Sequence, residues 1–366
     1  MEKAMKNNIL CASAMFALAV SGPFGVAHGF DKVVVFGDSL SDSGNAYNLV
    51  GAATPDIEFP PPPNNRRNSN GLVAVEYMAS ALGVTLLPST VSGGTNYAVS
   101  GALTGPSTAN FPAPPIPGGI TVSTENYGAI VYGPFADPLR TGTSLVSQVG
   151  QYLSGAPTIE GSDTLFVVWA GANDFFFDPQ SATVTNSVTN IMTSIGALAQ
   201  AGARRFLVPG LPDLSLTPGI REQDATAPGF GIGAGFSALS LAFNQALQGQ
   251  LVQLENSLLG QAAGLDITYF DVNASLLAVL ANPSSLGLVN VTQGCNDVFF
   301  QATCDQPDEY LFWDPVHPTD VVHAELGKQF AAAVPEPSTV GMHALGTLIV
   351  LAGVRAKRRL SRRFIG

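Results

Sequence analysis

The chain has 366 residues, of which 46% are hydrophobic and 12% are charged, so it can bury a large core and is not a disordered chain. Its formal net charge is −11, and basic residues are concentrated at the two ends, which leaves the body more acidic still. An acidic body excludes nucleic acid as an expected partner.

The first 29 residues predict a secretory signal peptide. Lys3 and Lys6 precede an apolar run at residues 9–20, and small residues follow up to Ala27, so cleavage is expected near Ala27 or Gly29. The run is shorter than the ~20 residues that a membrane-spanning helix needs, which makes an N-terminal anchor the weaker alternative.

Short β-branched runs alternate with amphipathic patterns through the body of the chain, residues 30–333. Strands are predicted at residues 32–36, 164–169, 205–208 and 266–270, with weaker candidates at 84–87 and 95–99. Helices are predicted at residues 72–82, 144–153, 184–201, 236–259, 274–280 and 320–333. This alternation predicts one α/β domain in which helices cover both faces of a parallel sheet.

Two stretches, residues 52–70 and 103–143, interrupt the alternation and are rich in Pro, Gly, Ser and Thr. Long segments of this kind inside a compact domain are either functional loops or disordered. We expect them to be loops that frame the functional site.

The first candidate for chemistry is the stretch VVVFGDSLSDSGN, which starts at Val33. Functional groups in parallel α/β sheets lie beyond the carboxyl ends of the strands, so Ser39 stands where a nucleophile would be displayed. Taken alone, Asp38, Ser39, Ser41 and Asp42 can equally be ordinary cap and turn residues.

A serine hydroxyl needs a base that accepts its proton, and the chain has four histidines. His28 and His343 lie in or beside the predicted terminal segments, which leaves His317 and His323. His317 lies in FWDPVHPTD, three residues after Asp314, so one loop can hold the carboxylate against the imidazole. His323 falls inside the last predicted helix and is interpreted as structural.

Two further strand ends offer donors for a negatively charged intermediate. VVWAGANDFFF places Asn173 just after a strand, and GTNYAVSGA places Gly101 where a backbone N–H can approach a developing charge. Each residue alone could be a simple turn former. The aromatic residues 175–177 either line a substrate pocket or belong to the core, and the core is the more frequent outcome.

In this order, FGDSLSDSGN, NYAVSG, GAND and DPVH resemble the four blocks of the GDSL-type or SGNH hydrolases. The resemblance implies a flavodoxin-like three-layer α/β/α fold with a central parallel sheet, and ester hydrolysis without a cofactor or a metal ion. It assigns the nucleophile to Ser39, the base to His317 and the orienting acid to Asp314. The oxyanion hole falls to the Ser39 backbone N–H, Gly101 and Asn173.

RNSNGLVAVEYMASALG, FLVPGLPDL and the pair Cys295 and Cys304 resemble the lipase and phospholipase-like branch of this family. Phospholipids, simple acyl esters and acetylated polysaccharides are all compatible substrates, and lipid-like esters are favoured by the branch. Two cysteines nine positions apart in an exported protein are expected to form a disulfide, because no His or carboxylate companions complete a metal site.

The last segment, residues 334–366, has three parts: Pro335-Glu336-Pro337, an apolar stretch at 339–354 and a terminal arginine cluster. It resembles the PEP-type sorting signal that an exosortase-type enzyme recognises in Gram-negative bacteria. The resemblance implies a short transmembrane helix in the inner membrane, a body outside it, and release to the cell envelope, extracellular space or exopolysaccharide. A permanent C-terminal anchor is the alternative.

The sequence therefore predicts an exported serine hydrolase that cleaves carboxylic esters through an acyl-enzyme. The rival hypothesis is a non-catalytic surface or exopolysaccharide-associated protein that keeps the fold. Ser39, Asp314, His317 and Asn173 together favour the enzyme, since a binding module needs none of them.

Overall fold

Four short apolar strands form the centre of the computed structural model, which describes residues 29–55, 60, 66–113, 116–131, 133–297 and 302–334. The predicted signal peptide and sorting segment fall outside these residues, except for Gly29 and Val334. None of the helices in the described ranges combines the length and the apolar character needed to cross a membrane.

Strands and helices alternate along the described residues. The strands are β1 (Lys32–Gly37), β2 (Ala102–Ala113), β3 (Ile116–Asn126), β4 (Thr164–Trp169), β5 (Arg205–Pro209), β6 (Asp266–Phe270), β7 (Asn290–Gly294), β8 (Asn296–Asp297), β9 (Ala302–Thr303) and β10 (Tyr310–Phe312). The helices are α1 (Asn45–Ala53), α2 (Ala74–Ala81), α3 (Gly128–Val131), α4 (Leu145–Ser154), α5 (Ala172–Phe177), α6 (Ser181–Gln200), α7 (Pro218–Thr226), α8 (Ile232–Asn256), α9 (Leu258–Ala263), α10 (Val272–Ala281) and α11 (Asp320–Ala333).

The central sheet is parallel and has the strand order β1-β4-β5-β6. These are the four strongly predicted strands, and their continuous apolar sequences suit strands that are covered on both faces. At Gly37, where β1 ends, a side chain would lie 2.2 Å from the Trp169 carbonyl oxygen, so only glycine allows β1 and β4 to approach here.

Helices cover both faces of the sheet because side chains along each strand alternate in direction. Val34 and Phe36 belong to a core shared with α4, α6 and α8. Val33 and Val35 belong to a second core shared with α2, α10 and α11. The result is the predicted three-layer α/β/α architecture.

The two weaker strand predictions, at residues 84–87 and 95–99, are wrong. Residues 95–99 run beside β1, with Tyr97 N–H donating to the Val35 carbonyl at 2.7 Å, but only isolated bridges form. On the side away from β1, the Asn45 side chain donates to the Asn96 and Ala98 carbonyls, so a side chain rather than a further strand borders this segment there.

The expectation of an irregular loop over residues 103–143 is also wrong. Most of this stretch is the antiparallel hairpin of β2 and β3, followed by α3 and a 3₁₀ segment at Gly133–Leu139. Because β2 contains two prolines and β3 contains one, the sequence lacks the usual strand pattern. The residues of this region that border the candidate site are Gly101, directly before β2, and Tyr127, Gly128 and Val131, which follow β3.

A small parallel pair of β7 and β10 lies near the end of the fold. Cys295, just after β7, is joined to Cys304 by a disulfide, and β8 and β9 pair between the two cysteines. Cys295 N–H donates to the Phe312 carbonyl at 3.0 Å. The disulfide segment therefore packs directly against the strand that leads into Asp314.

Candidate active site

Ser39 lies in a tight turn directly after β1. The N–H groups of Ser41 and Asp42 both donate to the Asp38 carbonyl, at 3.1 and 3.0 Å, and Leu40 N–H donates to Asp38 Oδ1 at 3.1 Å. These bonds turn the chain sharply and fix the Ser39 backbone. Ser39 as a whole is only 7% exposed.

The buried carboxylate of Asp42 holds this turn against a second segment. It accepts N–H donors from Gly44 at 2.8 Å, Asn45 at 2.6 Å, Ala46 at 3.1 Å and Ser100 at 2.7 Å. Gly101 directly follows Ser100 in the chain. The bond from Ser100 to Asp42 therefore fixes the position of Gly101 relative to the Ser39 turn. The sequence indicated Asp42 as a turn residue but gave no sign of the Ser100 contact.

Ser39, His317 and Asp314 form a continuous hydrogen-bonded chain. His317 Nε2 lies 2.7 Å from Ser39 Oγ, and His317 Nδ1 lies 2.7 Å from Asp314 Oδ2. The other oxygen, Asp314 Oδ1, accepts the N–H groups of Val316 and His317 at 2.8 and 2.7 Å. The structure thus brings together residues that are 278 positions apart in the sequence.

Two opposing effects determine the pKa of the His317 imidazole. Burial lowers the pKa of this imidazole, but the charge and hydrogen bond of Asp314 raise it, and the charge of Asp38 raises it further. The net result is a pKa above the ordinary value for histidine. The imidazolium form is therefore stabilised, as a base that receives a proton from Ser39 requires.

Backbone contacts fix the loop that carries Asp314 and His317. Trp313 N–H donates to the His317 carbonyl at 2.7 Å, and Gly219 N–H, at the start of α7, donates to the Pro315 carbonyl at 2.8 Å. Gly294, at the end of β7, packs so closely that a side chain there would lie 2.8 Å from the Asp314 backbone. The loop is therefore held from two sides.

Three candidate oxyanion donors lie at the same cleft: the Ser39 and Gly101 backbone N–H groups and the Asn173 side chain. Neither N–H group has an acceptor among the described residues. Gly101 has φ +79°, and a side chain there would lie 2.5 Å from Asn126 Oδ1, so the position requires glycine. Asn173 Nδ2 donates to the Ala102 carbonyl at 3.1 Å, which leaves its second N–H for a substrate.

Asp174 joins the segments that carry two of these donors. It follows Asn173 in α5, and its buried carboxylate accepts from Thr104 N–H at 3.0 Å, Thr104 Oγ1 at 2.6 Å and Ser187 Oγ at 3.0 Å. Burial raises the pKa of Asp174 to about 6. Sequence reasoning missed this residue, although its place in GAND was the available signal.

Two cavities meet at Ser39. The inner pocket has a volume of about 60 Å³ and runs from Ser39 and His317 between α10 and α11. Its apolar wall includes Trp169, Phe176, Val272, Leu276, Leu311 and Leu326. The outer cleft has a volume of about 450 Å³, and its wall includes Asn68, Gly101, Tyr127, Val131, Ile220 and Gln223.

Phe176 lines both cavities, whereas Phe175 and Phe177 are buried. Of the three aromatic residues that follow Asn173 and Asp174, only the middle one reaches the site. Phe175 packs edge-on against Phe243 in the core.

His323 is fully buried and lies apart from this chemistry. Its Nδ1 accepts Ala74 N–H at 3.2 Å, so the ring proton is on Nε2, which has no partner among the described residues. Burial lowers the pKa of His323 to about 3, and the charge of His317 adds to this effect. The structural interpretation of His323 agrees with this environment.

One group of carboxylates in the described residues has oxygens within 4.8 Å of one another: Asp31, Glu160 and Asp163. Asp31 precedes β1 and Asp163 precedes β4, so the group lies at the opposite end of the sheet from Ser39. It takes no part in the candidate site, and cofactor-independent hydrolysis stays a prediction.

Comparison with known proteins decides the family. Residues 33–330 match the family model described as GDSL-like Lipase/Acylhydrolase. The chain belongs to the GDSL lipase/acylhydrolase family. The match spans most of the chain, from β1 to α11, and includes every residue of the candidate site.

Several relatives are named as esterases or lipases, and one is named as a hemolysin. A GDSL esterase/lipase of Arabidopsis thaliana is 28% identical over 331 residues, which cover 81% of this chain and 80% of the relative. The thermolabile hemolysin of Vibrio parahaemolyticus is 25% identical over 319 residues, covering 82% of this chain and 62% of the relative. This chain, as a member of the GDSL lipase/acylhydrolase family, is accordingly a carboxylic ester hydrolase.

A solved structure, a member of the lipolytic G-D-S-L family from Veillonella parvula, aligns with 82% of this chain and 96% of its own chain. The alignment has 8% sequence identity and a TM-score of 0.36.

Proposed function

We propose that this chain is an exported serine esterase that works through an acyl-enzyme on Ser39. The observation that carries the proposal is the 2.7 Å contact between Ser39 Oγ and His317 Nε2, with Asp314 on the far side of the ring. A nucleophile, a base and an orienting carboxylate in this order form the arrangement that activates a serine hydroxyl.

In the first step, His317 accepts the Ser39 proton while Ser39 Oγ attacks the ester carbonyl carbon. Asp314 holds the proton of His317 on Nδ1 and stabilises the imidazolium. The Ser39 and Gly101 N–H groups and the Asn173 amide donate to the oxyanion. His317 then gives its proton to the leaving alcohol, and the acyl group remains bound to Ser39.

In the second step, water enters from the outer cleft and His317 accepts one of its protons. The hydroxide attacks the acyl carbonyl, the same donors stabilise the second oxyanion, and His317 returns a proton to Ser39 Oγ as the carboxylic acid leaves. Every proton transfer in the cycle uses one imidazole nitrogen, Nε2.

The decisive experiment compares Ser39→Ala with Ser41→Ala on a panel of chromogenic esters. Ser41 is the matched control because it lies in the same turn, is fully buried and has a hydroxyl without a partner in the described part of the chain. We expect Ser39→Ala to lose at least ~10³-fold in kcat and Ser41→Ala to stay near the wild type. Equal turnover by the wild type and Ser39→Ala would remove Ser39 from the mechanism.

We propose export on different grounds: the pattern of residues 1–29, the three-part pattern of residues 334–366, and the disulfide between Cys295 and Cys304. Disulfides persist in oxidising compartments, which supports a location outside the cytoplasm. Mass spectrometry of the protein isolated from a Gram-negative host with an exosortase-type enzyme should give a new N-terminus near Ala27 or Gly29 and a missing arginine tail. An intact chain in the cytoplasm would refute export.

A further inference from the structure

Polar side chains in the wall of the inner pocket are already paired with protein groups. Asp213 Oδ2 accepts from Ser237 Oγ at 2.8 Å, and Thr217 Oγ1 donates to the Leu214 carbonyl at 2.7 Å. These hydrogen bonds hold the two side chains against the protein, and most of the pocket surface that a ligand meets is apolar. A ligand hydroxyl placed along this apolar wall would lose its hydrogen bonds to water without replacement, which disfavours a hydroxylated group here.

A hydrogen-bonded bridge between α10 and α11 completes this wall. Ser275 Oγ donates to Gln329 Oε1 at 2.7 Å, and Gln329 Nε2 donates to Glu325 Oε1 at 2.9 Å. Ser275 and Glu325 both line the inner pocket. The bridge engages the Ser275 hydroxyl proton and one Glu325 oxygen, and the other lining residues of α10 and α11 are apolar, so the space between these helices suits an alkyl chain.

The Asp38 carboxyl group is the exception in the wall, because its Oδ2 is buried and has no partner within the described residues. Burial raises the pKa of Asp38 to about 7, so about half of this group is the uncharged acid at neutral pH. The uncharged form is compatible with a neighbouring alkyl chain, and the ionised form is the one that raises the pKa of His317.

The outer cleft also has apolar side chains in its wall, including Val131 and Ile220, but it adds polar groups that a ligand can use. The amide nitrogen of Asn68, the side chain of Gln223 and the Tyr127 hydroxyl have no hydrogen-bond partner among the residues that the structure describes. Asn68 is only 8% exposed, and its Oδ1 is fixed by the hydroxyl of Ser100 at 2.6 Å. Free polar groups of this kind suit an alcohol that carries further hydroxyl or ester oxygens.

Resting on the proposed reaction at Ser39, we propose that the inner pocket binds the acyl chain, the outer cleft binds the alcohol part, and the preferred acyl chain is short. The inner pocket opens at the reacting groups, since Ser39, Asn173 and His317 line both cavities. Its volume of about 60 Å³ corresponds to about four to six water-sized spheres, so the pocket has room for a short alkyl chain and not for a long one.

The first test is a chain-length series of p-nitrophenyl esters, from acetate through butyrate, hexanoate and octanoate to palmitate, below micelle-forming concentrations. For the wild type we expect kcat/KM to be highest at butyrate or hexanoate and at least tenfold lower at palmitate. A maximum at palmitate would overturn the proposal.

The second test changes the pocket. Leu276→Ala enlarges the inner pocket and should raise the octanoate-to-butyrate ratio of kcat/KM about tenfold. Leu277→Ala is the matched control, because this leucine is the next residue in α10, is 50% exposed and lies outside both cavities. Val279→Phe fills the pocket and should shift the preference towards acetate. Unchanged profiles in both pocket variants would refute the assignment.

A third measurement needs no substitution. The rate at which p-nitrophenyl alkylphosphonates label Ser39 in the wild type should fall beyond the hexyl chain, and a rate that rises through dodecyl would refute a short-chain pocket. Ester turnover by Ser39→Ala equal to that of the wild type would instead contradict the proposed reaction. A flat chain-length profile with Ser39-dependent turnover would contradict only the pocket assignment.

Discussion

Replacement of Asn173 by alanine tests one proposed oxyanion donor on its own. The Asn173 amide has two N–H groups, and one of them donates to the Ala102 carbonyl at 3.1 Å. The substitution leaves the Ser39 and Gly101 donors in place, so it should lower kcat about 10²- to 10³-fold, or about 2.7–4 kcal/mol of transition-state stabilisation. The lost bond to Ala102 should lower the free energy of unfolding by about 1 kcal/mol.

Asn190→Ala is the matched control for this prediction. Asn190 Nδ2 also makes one hydrogen bond, to Thr104 Oγ1 at 3.1 Å, but Asn190 lines neither the inner pocket nor the outer cleft. Both variants should lose similar stability in urea unfolding, and only Asn173→Ala should lose kcat with a chromogenic ester. The reasoning is refuted if Asn173→Ala stays within threefold of the wild type, or if Asn190→Ala falls equally far.

Three further predictions follow from buried groups. Asp38→Asn removes a negative charge that raises the pKa of His317, so the acid limb of the kcat/KM profile should move to lower pH; an unchanged limb would argue against this charge effect. The unfolded chain protonates His323 near pH 6.5 but the folded chain only near 3, so the free energy of unfolding should fall as the pH drops through this window. Between pH 6.5 and 4.5 the wild type should lose about 2–3 kcal/mol more than His323→Asn, measured by urea unfolding, and equal losses would contradict a neutral buried imidazole. Cys295→Ser combined with Cys304→Ser should lower the free energy of unfolding by about 2–3 kcal/mol in the same assay, and no change would mean that the cross-link adds nothing.

The sequence predicted the sheet well because its strands are continuous apolar runs between helical patterns. All four strands of the central sheet lie within one residue of the predicted bounds. The predicted helix at 236–259 instead ends at Asn256, because the Ser257 side chain accepts Gly260 N–H and begins a new helix, α9. Helices as short as α5, with six residues, are too brief to show a periodic pattern.

Residues at strand ends could be found from the sequence because their motifs are local. Ser39 and Asn173 each follow a strand and a glycine, and His317 follows Asp314 by three positions. Their supporting contacts could not be predicted in the same way. Asp42 bonds to Ser100 across 58 positions, and no periodicity encodes a contact between two loops.

The proposed reacting groups come from opposite ends of the described chain, with Ser39 in the turn after β1 and His317 just before the last helix, α11. A nascent polypeptide that has emerged only as far as Phe312 therefore already contains all four central strands, yet it has a serine without a base. Under the proposed mechanism, such a chain cannot hydrolyse esters while it is being made. Proteolysis after Phe312 would likewise remove the proposed base and leave all four central strands in the remaining chain.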